Sequence, residues 1–391
     1  MRTLSRYRAV LIAVLALFIG ACSFSQTVDF ITSPIDTSTR YVTNKAKRYL
    51  FNPTLVVKDI AALRNAFQRV AGALKGEAEE EWGKGNARLP GTKRYVKYTD
   101  GYQTRALVDF SKSTVTIETV ATTDISAHLV DGLADTLMTP DDPRAVDLYT
   151  AEVPASSGQP YLYGLVVDDA GQPIVRRRQA LVFAQGVVAQ GITTRQGKGG
   201  KAIHSVRLPM VRQALQHQAQ RYRPLVVNNS QRYGVDPSLI YAIIETESAF
   251  NPYAVSSAPA FGLMQLVPTT GGRDAYRFVE RRDGVPSQDE LFTPPRNIEL
   301  GTAYLHILFN RYLKDVRDPL SREYCVISAY NGGAGNVLKT FHSDRKRAVA
   351  VINSLPPDEV RKRLQTRHPR AESRRYLVKV LAKKPKYTGV T

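Results

Sequence analysis

The hydrophobic pattern of this chain changes its period near residue 210. Upstream, apolar residues alternate between Tyr95 and Val188. Ala106, Val108 and Phe110 form one such run, and Val115 and Ile117 another. Alternation of this kind lays one face of a strand on a core. "RYVKYTDGYQTRALVDF" places an Asp100-Gly101 turn between two β-rich runs, and "YLYGLVVDDAGQPIV" repeats the strand–turn–strand pattern around Gly171. Ahead of them, Val56, Ile60, Leu63, Phe67, Val70 and Leu74 recur every three or four residues. That is one apolar face of a helix, opened by "NPT" and packed on the sheet. "RQGKGGK" (Arg195 to Lys201) reads as a hairpin tip or linker. After "HSVRLPMV" the alternation disappears, and short Gly/Pro breaks separate helix-periodic segments to the end. The pattern predicts an α+β fold class: an N-terminal α+β domain of unknown role over residues 51–205, then a mainly α-helical domain over residues 210–391. A chain of 391 residues accommodates two such domains.

The first residues carry an address. "MRTLSRYRAVLIAVLALFIGAC" opens with Arg2, Arg6 and Arg8 and continues in an apolar run from Ala9 to Ile19. The run is too short to span a bilayer comfortably and reads as a secretory signal over residues 1–21. It ends in Ile19-Gly20-Ala21-Cys22, which resembles a bacterial lipobox with Cys22 as the lipidation site. A plain small-residue cleavage site with a chance cysteine is the alternative. Polar residues 22–50 then read as a tether. Ser23, rather than Asp, stands after the cysteine, so the expected location is the outer membrane, lipid-anchored and facing the periplasm.

Export changes the meaning of the formal charge of +19. A basic chain seeks an acidic partner. Outside the cytoplasm that partner is not nucleic acid, and a carboxylate-rich polymer becomes the plain candidate. Acylation of Cys22 would leave Cys325 as the only free thiol, read as a small buried core residue. Six scattered histidines with no CxxC or HExxH spacing predict no metal site and no cofactor.

The chemistry concentrates in "YGVDPSLIYAIIETESAF". Asp236 can cap a helix whose first residue is Pro237. At 100° per residue, Leu239, Ile240, Ile243 and Ile244 share one face, and Glu247 falls in the middle of it. Glu245 points nearly opposite and reads as a solvated helix charge. A carboxylate at the end of an apolar stripe is costly without a task or a partner. Desolvation raises its pKa, and a carboxylic acid still protonated near neutrality can donate to a leaving oxygen. A Glu247 paired with a buried Arg, or capping a neighbouring helix, is the alternative.

The segment that begins at Glu247 resembles the lytic transglycosylase signature of the lysozyme-like superfamily. "ESAFNP" is succeeded by "AVS" and "GLMQ". Then come "NIELGTAYLHIL" (Asn297 to Leu308), "AYNGGAGNV" (Ala329 to Val337) and "ESRRYLVKV" (Glu372 to Val380), in family order. The resemblance is strong over residues 210–385. It implies a lysozyme-like lytic transglycosylase domain acting on peptidoglycan glycan strands. The implied reaction cleaves the β-1,4 bond between N-acetylmuramic acid and N-acetylglucosamine and forms 1,6-anhydromuramic acid ends. Such an enzyme serves cell wall remodelling and recycling, and the resemblance implies cell-wall synthesis or division proteins as partners.

Carried over residue by residue, the resemblance makes Glu247 the catalytic acid. Residues 248–273 contain no Asp or Glu, which fits chemistry that needs no second protein carboxylate. Ser256 aligns beside the substrate acetamido group, and Gln265 would hydrogen-bond sugar, while Met264 reads as core. Tyr330 would place its hydroxyl close to Glu247, and Asn331 would order the turn. Glu372 would contact sugar or hold Tyr376. Pro259-Ala260-Phe261 and Val267 depart from the commoner family residues, which leaves exo versus endo cleavage open. Two other functions share this sequence: a muramidase that hydrolyses the same bond, and a non-catalytic peptidoglycan-binding lipoprotein. The tail "KVLAKKPKY" reads as a second basic contact or a frayed chain end.

Overall fold

The computed structural model describes residues 60–389. Cys22, the leader and tether of residues 1–50, and Val56 lie outside the described residues.

Helix α1 (Ile60–Trp82) precedes strands β1 (Arg94–Thr99), β2 (Thr104–Asp109) and β3 (Thr114–Thr119). Helices α2 (Ile125–Leu137) and α3 (Arg177–Ala189) come next, then strands β4 (Thr193–Gln196) and β5 (Ala202–Pro209). The five strands form one antiparallel sheet in the order β1-β2-β3-β5-β4. Ala106 faces Ile117 and Val108 faces Val115, so the expected alternation sets the register. One sheet face packs against Leu129, Leu133, Ala180 and Ala184 of α2 and α3. The other meets Leu74, Ala78 and Trp82 of α1. Beside that second layer, the Arg105 guanidinium is fully buried, 3.6 Å from the Trp82 ring centroid. Glu118 neutralises it through Nε at 2.7 Å.

Two expectations for this half need correction. The stretch from Tyr95 to Val188 is not strand throughout, since α2 and α3 occupy much of it. Around Gly171 there is only an isolated bridge, Val167 to Pro173. "RQGKGGK" does close a hairpin, with Gln196 opposite Ala202.

From residue 214 to 387 the regular elements are helices. Helices α4 (Ala214–Arg221), α5 (Arg223–Tyr233), α6 (Pro237–Glu247), α7 (Gly271–Glu280) and α8 (Gln288–Phe292) come first. Then come α9 (Pro294–Ile307), α10 (Pro319–Gly332), α11 (Ala334–Lys339), α12 (Arg345–Asn353), α13 (Pro357–Arg367) and α14 (Ala371–Lys383). A short 3-10 turn, Lys384–Tyr387, ends the fold. Helix α6 runs through the centre of this half, with Leu239, Ile240, Ile243 and Ile244 fully buried. Cys325 on α10 is buried in the same core, and that burial pushes its thiol up to about 12. Ala249 and Tyr253 leave this core and join that of the sheet half. Among the described residues no helix is long and apolar enough to cross a membrane.

Candidate active site

Helix α6 starts as its sequence dictates. Asp236 Oδ1 accepts from the Ser238 backbone N–H at 2.8 Å, and Pro237 needs no donor partner at the first position. The helix stops abruptly after Glu247. Ser248 turns its hydroxyl back onto the Ile244 carbonyl at 3.0 Å, and Ala249 and Phe250 both adopt left-handed backbone, at φ 51° and 63°. Consecutive non-glycine residues in that region cost of order 1–3 kcal/mol each, and surrounding structure must hold them. Asn251 does part of this. Its Oδ1 accepts from the Tyr253 N–H at 3.0 Å, and its Nδ2 donates to the Thr92 carbonyl at 3.1 Å.

Glu247 keeps partial surface exposure, yet its carboxyl is enclosed by protein. Burial pushes its pKa up to about 7, and the nearby charge of Glu372 pushes the same way. The Tyr376 hydroxyl, Lys93 and Lys379 pull it down without cancelling the effect of burial. The Tyr376 phenol is directed at this carboxyl and is itself held well above its ordinary range, first by burial and then by the Glu247 charge. Among the described residues that buried hydroxyl makes no well-formed hydrogen bond.

Glu245 differs from its expectation. It is only 5% exposed, not solvated. The chain end covers it: Tyr387 donates to Oε2 at 2.8 Å, Lys386 to Oε1 at 3.1 Å, and Lys383 Nζ to its carbonyl at 2.9 Å. Burial alone would raise its pKa. Lys383, Tyr387 and Lys386 outweigh burial and hold it below the usual carboxylate range. The tail is therefore neither frayed nor a free basic patch, and Lys384 bridges Asp236 and Glu323 at 2.9 and 2.8 Å.

The motif blocks that are separate in sequence meet here. Asn297 Oδ1 accepts from the Met264 N–H at 2.8 Å, and its Nδ2 donates to the Phe261 and Leu291 carbonyls at 2.9 and 2.7 Å. Gly301 admits the Met264 side chain where a Cβ would collide with it. Tyr330 donates to the Met264 carbonyl at 2.9 Å and packs on Tyr304, ring centroids 5.5 Å apart. Its hydroxyl is thus committed to the loop, while the Glu247 charge still raises its pKa beyond the effect of burial. Asn331 Oδ1 accepts from Ser373 at 2.7 Å, and Asn331 Nδ2 approaches Glu372 at 3.4 Å. Both bonds tie the AYN turn of α10 to the start of α14.

Gln265 adopts a left-handed φ of 50° and spends its amide donors on the Ala254 and Gly262 carbonyls, at 3.0 and 2.9 Å. Its Oε1 is buried without a partner among the described residues. An acceptor left in that state is ready for a donor from a bound ligand. Ser256 is committed to its own loop: the hydroxyl donates to Ala258 O at 2.8 Å and accepts from Ala260 N–H at 3.1 Å. Sequence reasoning missed Lys93, Lys379 and Tyr304. Tyr304 lies within "NIELGTAYLHIL", but nothing in the sequence marks Lys93.

The helical half falls in the transglycosylase SLT class, whose domain profile matches residues 224–353. The profile described as membrane-bound lytic murein transglycosylase C, N-terminal domain, matches residues 57–221. Membrane-bound lytic murein transglycosylase C of Serratia proteamaculans is 46% identical over 317 residues, covering 81% of this chain and 88% of that protein. The Yersinia enterocolitica protein of the same name is 45% identical over 324 residues, covering 83% and 90%. The chain belongs to the membrane-bound lytic murein transglycosylase C family. Among solved structures, an inactive mutant of lytic transglycosylase Slt from Pseudomonas aeruginosa covers 42% of this chain and 24% of its own, at 28% identity and a TM-score of 0.34.

Proposed function

We propose that this protein is a murein-degrading lytic transglycosylase with Glu247 as its single acid and base. The observation that carries the reading is the enclosed Glu247 carboxyl, pushed up to about 7 and so largely protonated in mildly acidic medium. It donates its proton to the oxygen linking N-acetylmuramic acid to N-acetylglucosamine as the C1–O bond breaks. The substrate's acetamido group steadies the cation. Glu247, now a carboxylate, takes the proton of the muramic 6-hydroxyl while O6 bonds to C1. The carboxyl ends as it began, no water is consumed, and the product carries a 1,6-anhydro ring.

Gln265 Oε1 is available to accept from sugar, and Tyr376 steadies the Glu247 anion. The hydrogen bonds of Tyr330 and Asn331 support a positioning role for each, and those of Ser256 support shaping of the 256–260 loop. Cys22 would carry the lipid that holds the enzyme at the outer membrane.

One observation favours a muramidase: Glu372 is a second carboxylate whose charge reaches Glu247. Mass spectrometry of digested sacculi separates the two. The transglycosylase yields muramic ends one water lighter than the reducing ends that hydrolysis leaves. Glu247→Gln is expected to lose about 10²–10⁴-fold in rate. Reducing ends from the wild type would support the muramidase, and an undiminished Glu247→Gln variant would remove Glu247 from the chemistry.

A further inference from the structure

The short turn that ends the fold, Lys384–Tyr387, lies along α6 and grips that helix at three levels. At the start of α6, Lys384 Nζ is 2.9 Å from Asp236 Oδ2 and 2.8 Å from Glu323 Oε1. It thereby joins the N-cap of α6 to α10, the helix that ends in the AYN turn. At the middle of α6, the Tyr387 ring stacks on Tyr241, with centroids 5.1 Å apart and planes 21° apart. At the end of α6, the Tyr387 hydroxyl donates to Glu245 Oε2 at 2.8 Å, and its ring meets that of Phe250 edge-on at 6.2 Å. Glu245 lies two residues before Glu247, and Phe250 three residues after it. One buried side chain therefore holds the chain on both flanks of the candidate acid.

From this geometry we propose that Tyr387 is a positioning residue of the reaction, which fixes where the Glu247 carboxyl stands by holding Glu245 and Phe250. The need for such a hold is local. The Glu245 carbonyl accepts from the Ala249 N–H at 3.2 Å, and directly after that bond the backbone turns left-handed at Ala249 and Phe250. Residues strained in this way keep their conformation only where packing over-determines it. Phe250 is packed by the rings of Tyr222, Tyr241 and Tyr387. The Glu245 carbonyl is also held by Lys383 Nζ at 2.9 Å. Tyr387 joins these two supports, since it bonds one flank and packs the other. A carboxyl that must reach a leaving oxygen and then a hydroxyl tolerates little drift, because a misplacement of ~1 Å costs on the order of 10²-fold in rate. The motif blocks stop at Val380 and assign Tyr387 nothing.

This inference rests on Glu247 acting as a general acid, and its test keeps the two claims apart. kcat and KM of full-length wild type, Tyr387→Phe, Tyr387→Ala, Glu247→Gln and Ile352→Ala are measured on soluble murein glycan, at a temperature where each is folded, and melting temperatures are recorded alongside. Ile352, a buried core residue on α12, serves as a destabilised control. Tyr387→Ala is expected to lose about 10–100-fold in kcat, with KM changed by less than about threefold. Tyr387→Phe keeps the ring contacts, loses the bond to Glu245 and is expected to fall between wild type and Tyr387→Ala. Ile352→Ala should melt lower and keep its kcat. A folded Tyr387→Ala at wild-type kcat, or an Ile352→Ala that loses kcat equally for the same drop in melting temperature, leaves Tyr387 a role in stability alone and overturns the proposal. An undiminished Glu247→Gln removes the acid and the proposal with it, whereas full rate in Tyr387→Ala beside an inactive Glu247→Gln removes the proposal alone.

Discussion

A carboxyl held near 7 is a liability for the fold and an asset for chemistry. For Glu247 the ordinary value is 4.5 and the folded value about 7. Between these the folded chain retains a proton that the unfolded chain has released, so stability falls as pH rises through that window. The cost above pH 7 is on the order of 3 kcal/mol. Glu247→Gln should therefore melt several degrees above wild type at pH 8, with the gap closing towards pH 4.5. Equal melting temperatures at pH 8 would mean that the carboxyl is not desolvated. For the active enzyme the sign is the same: activity should decline through about pH 7 as the acid loses its proton. The position of Glu247 on the apolar face is legible in the sequence by counting 100° steps. The environment of Glu245 is not. Its partners Lys383, Lys386 and Tyr387 lie more than 130 residues downstream, and only tertiary contact could reveal them.

At the scale of elements, the end of α6 is held by a strap made of the last turn of α14 and the 3-10 turn after it. Glu245→Gln would leave Lys383 and Lys386 facing a neutral amide. A loss of about 2–4 kcal/mol in denaturant unfolding is expected, against less than 1 kcal/mol for an exposed charge. The turn bearing Gln265 is held by α9. Gly301→Ala should displace Met264, cost about 1–3 kcal/mol and lower activity through the turn; an unchanged melting temperature would count against that packing. The helices of the sheet half leave a trace in the sequence. Leu129, Leu133 and Leu137 recur every four residues, as do Ala180, Ala184 and Val188, and all six are buried. Interspersed valine and phenylalanine give the stretch a β-like texture that masks the period. Strands β1, β2 and β3 form where alternation and a turn coincide, as at Val108, Asp100-Gly101 and Val115.

For the whole molecule, the two halves are distinct in texture but share their cores. Ala249 and Tyr253 belong by sequence to the signature around Glu247 and by packing to the sheet half. A fragment starting at residue 224 would expose them and lose the Asn251 bonds to Gly91 and Thr92. It should melt well below the full chain and bind a hydrophobic dye, as scanning fluorimetry can show; a fragment as stable as the full chain would make the seam incidental. The change of hydrophobic period near residue 210 is readable in the sequence, because periodicity is local. It gives no hint that the two halves are bridged, because the bridge is an asparagine and a tyrosine in a motif read for its glutamate.

Tyr95, Tyr161 and Tyr253 pack their rings against one another, edge-on or tilted, with centroids 5.0 to 5.3 Å apart, two from one half and one from the other. Grafting the front of one relative onto the back of another is therefore not a free exchange of modules. A hybrid that mismatched this trio would set the proposed donor of protons askew, even with each parent's segment copied faithfully.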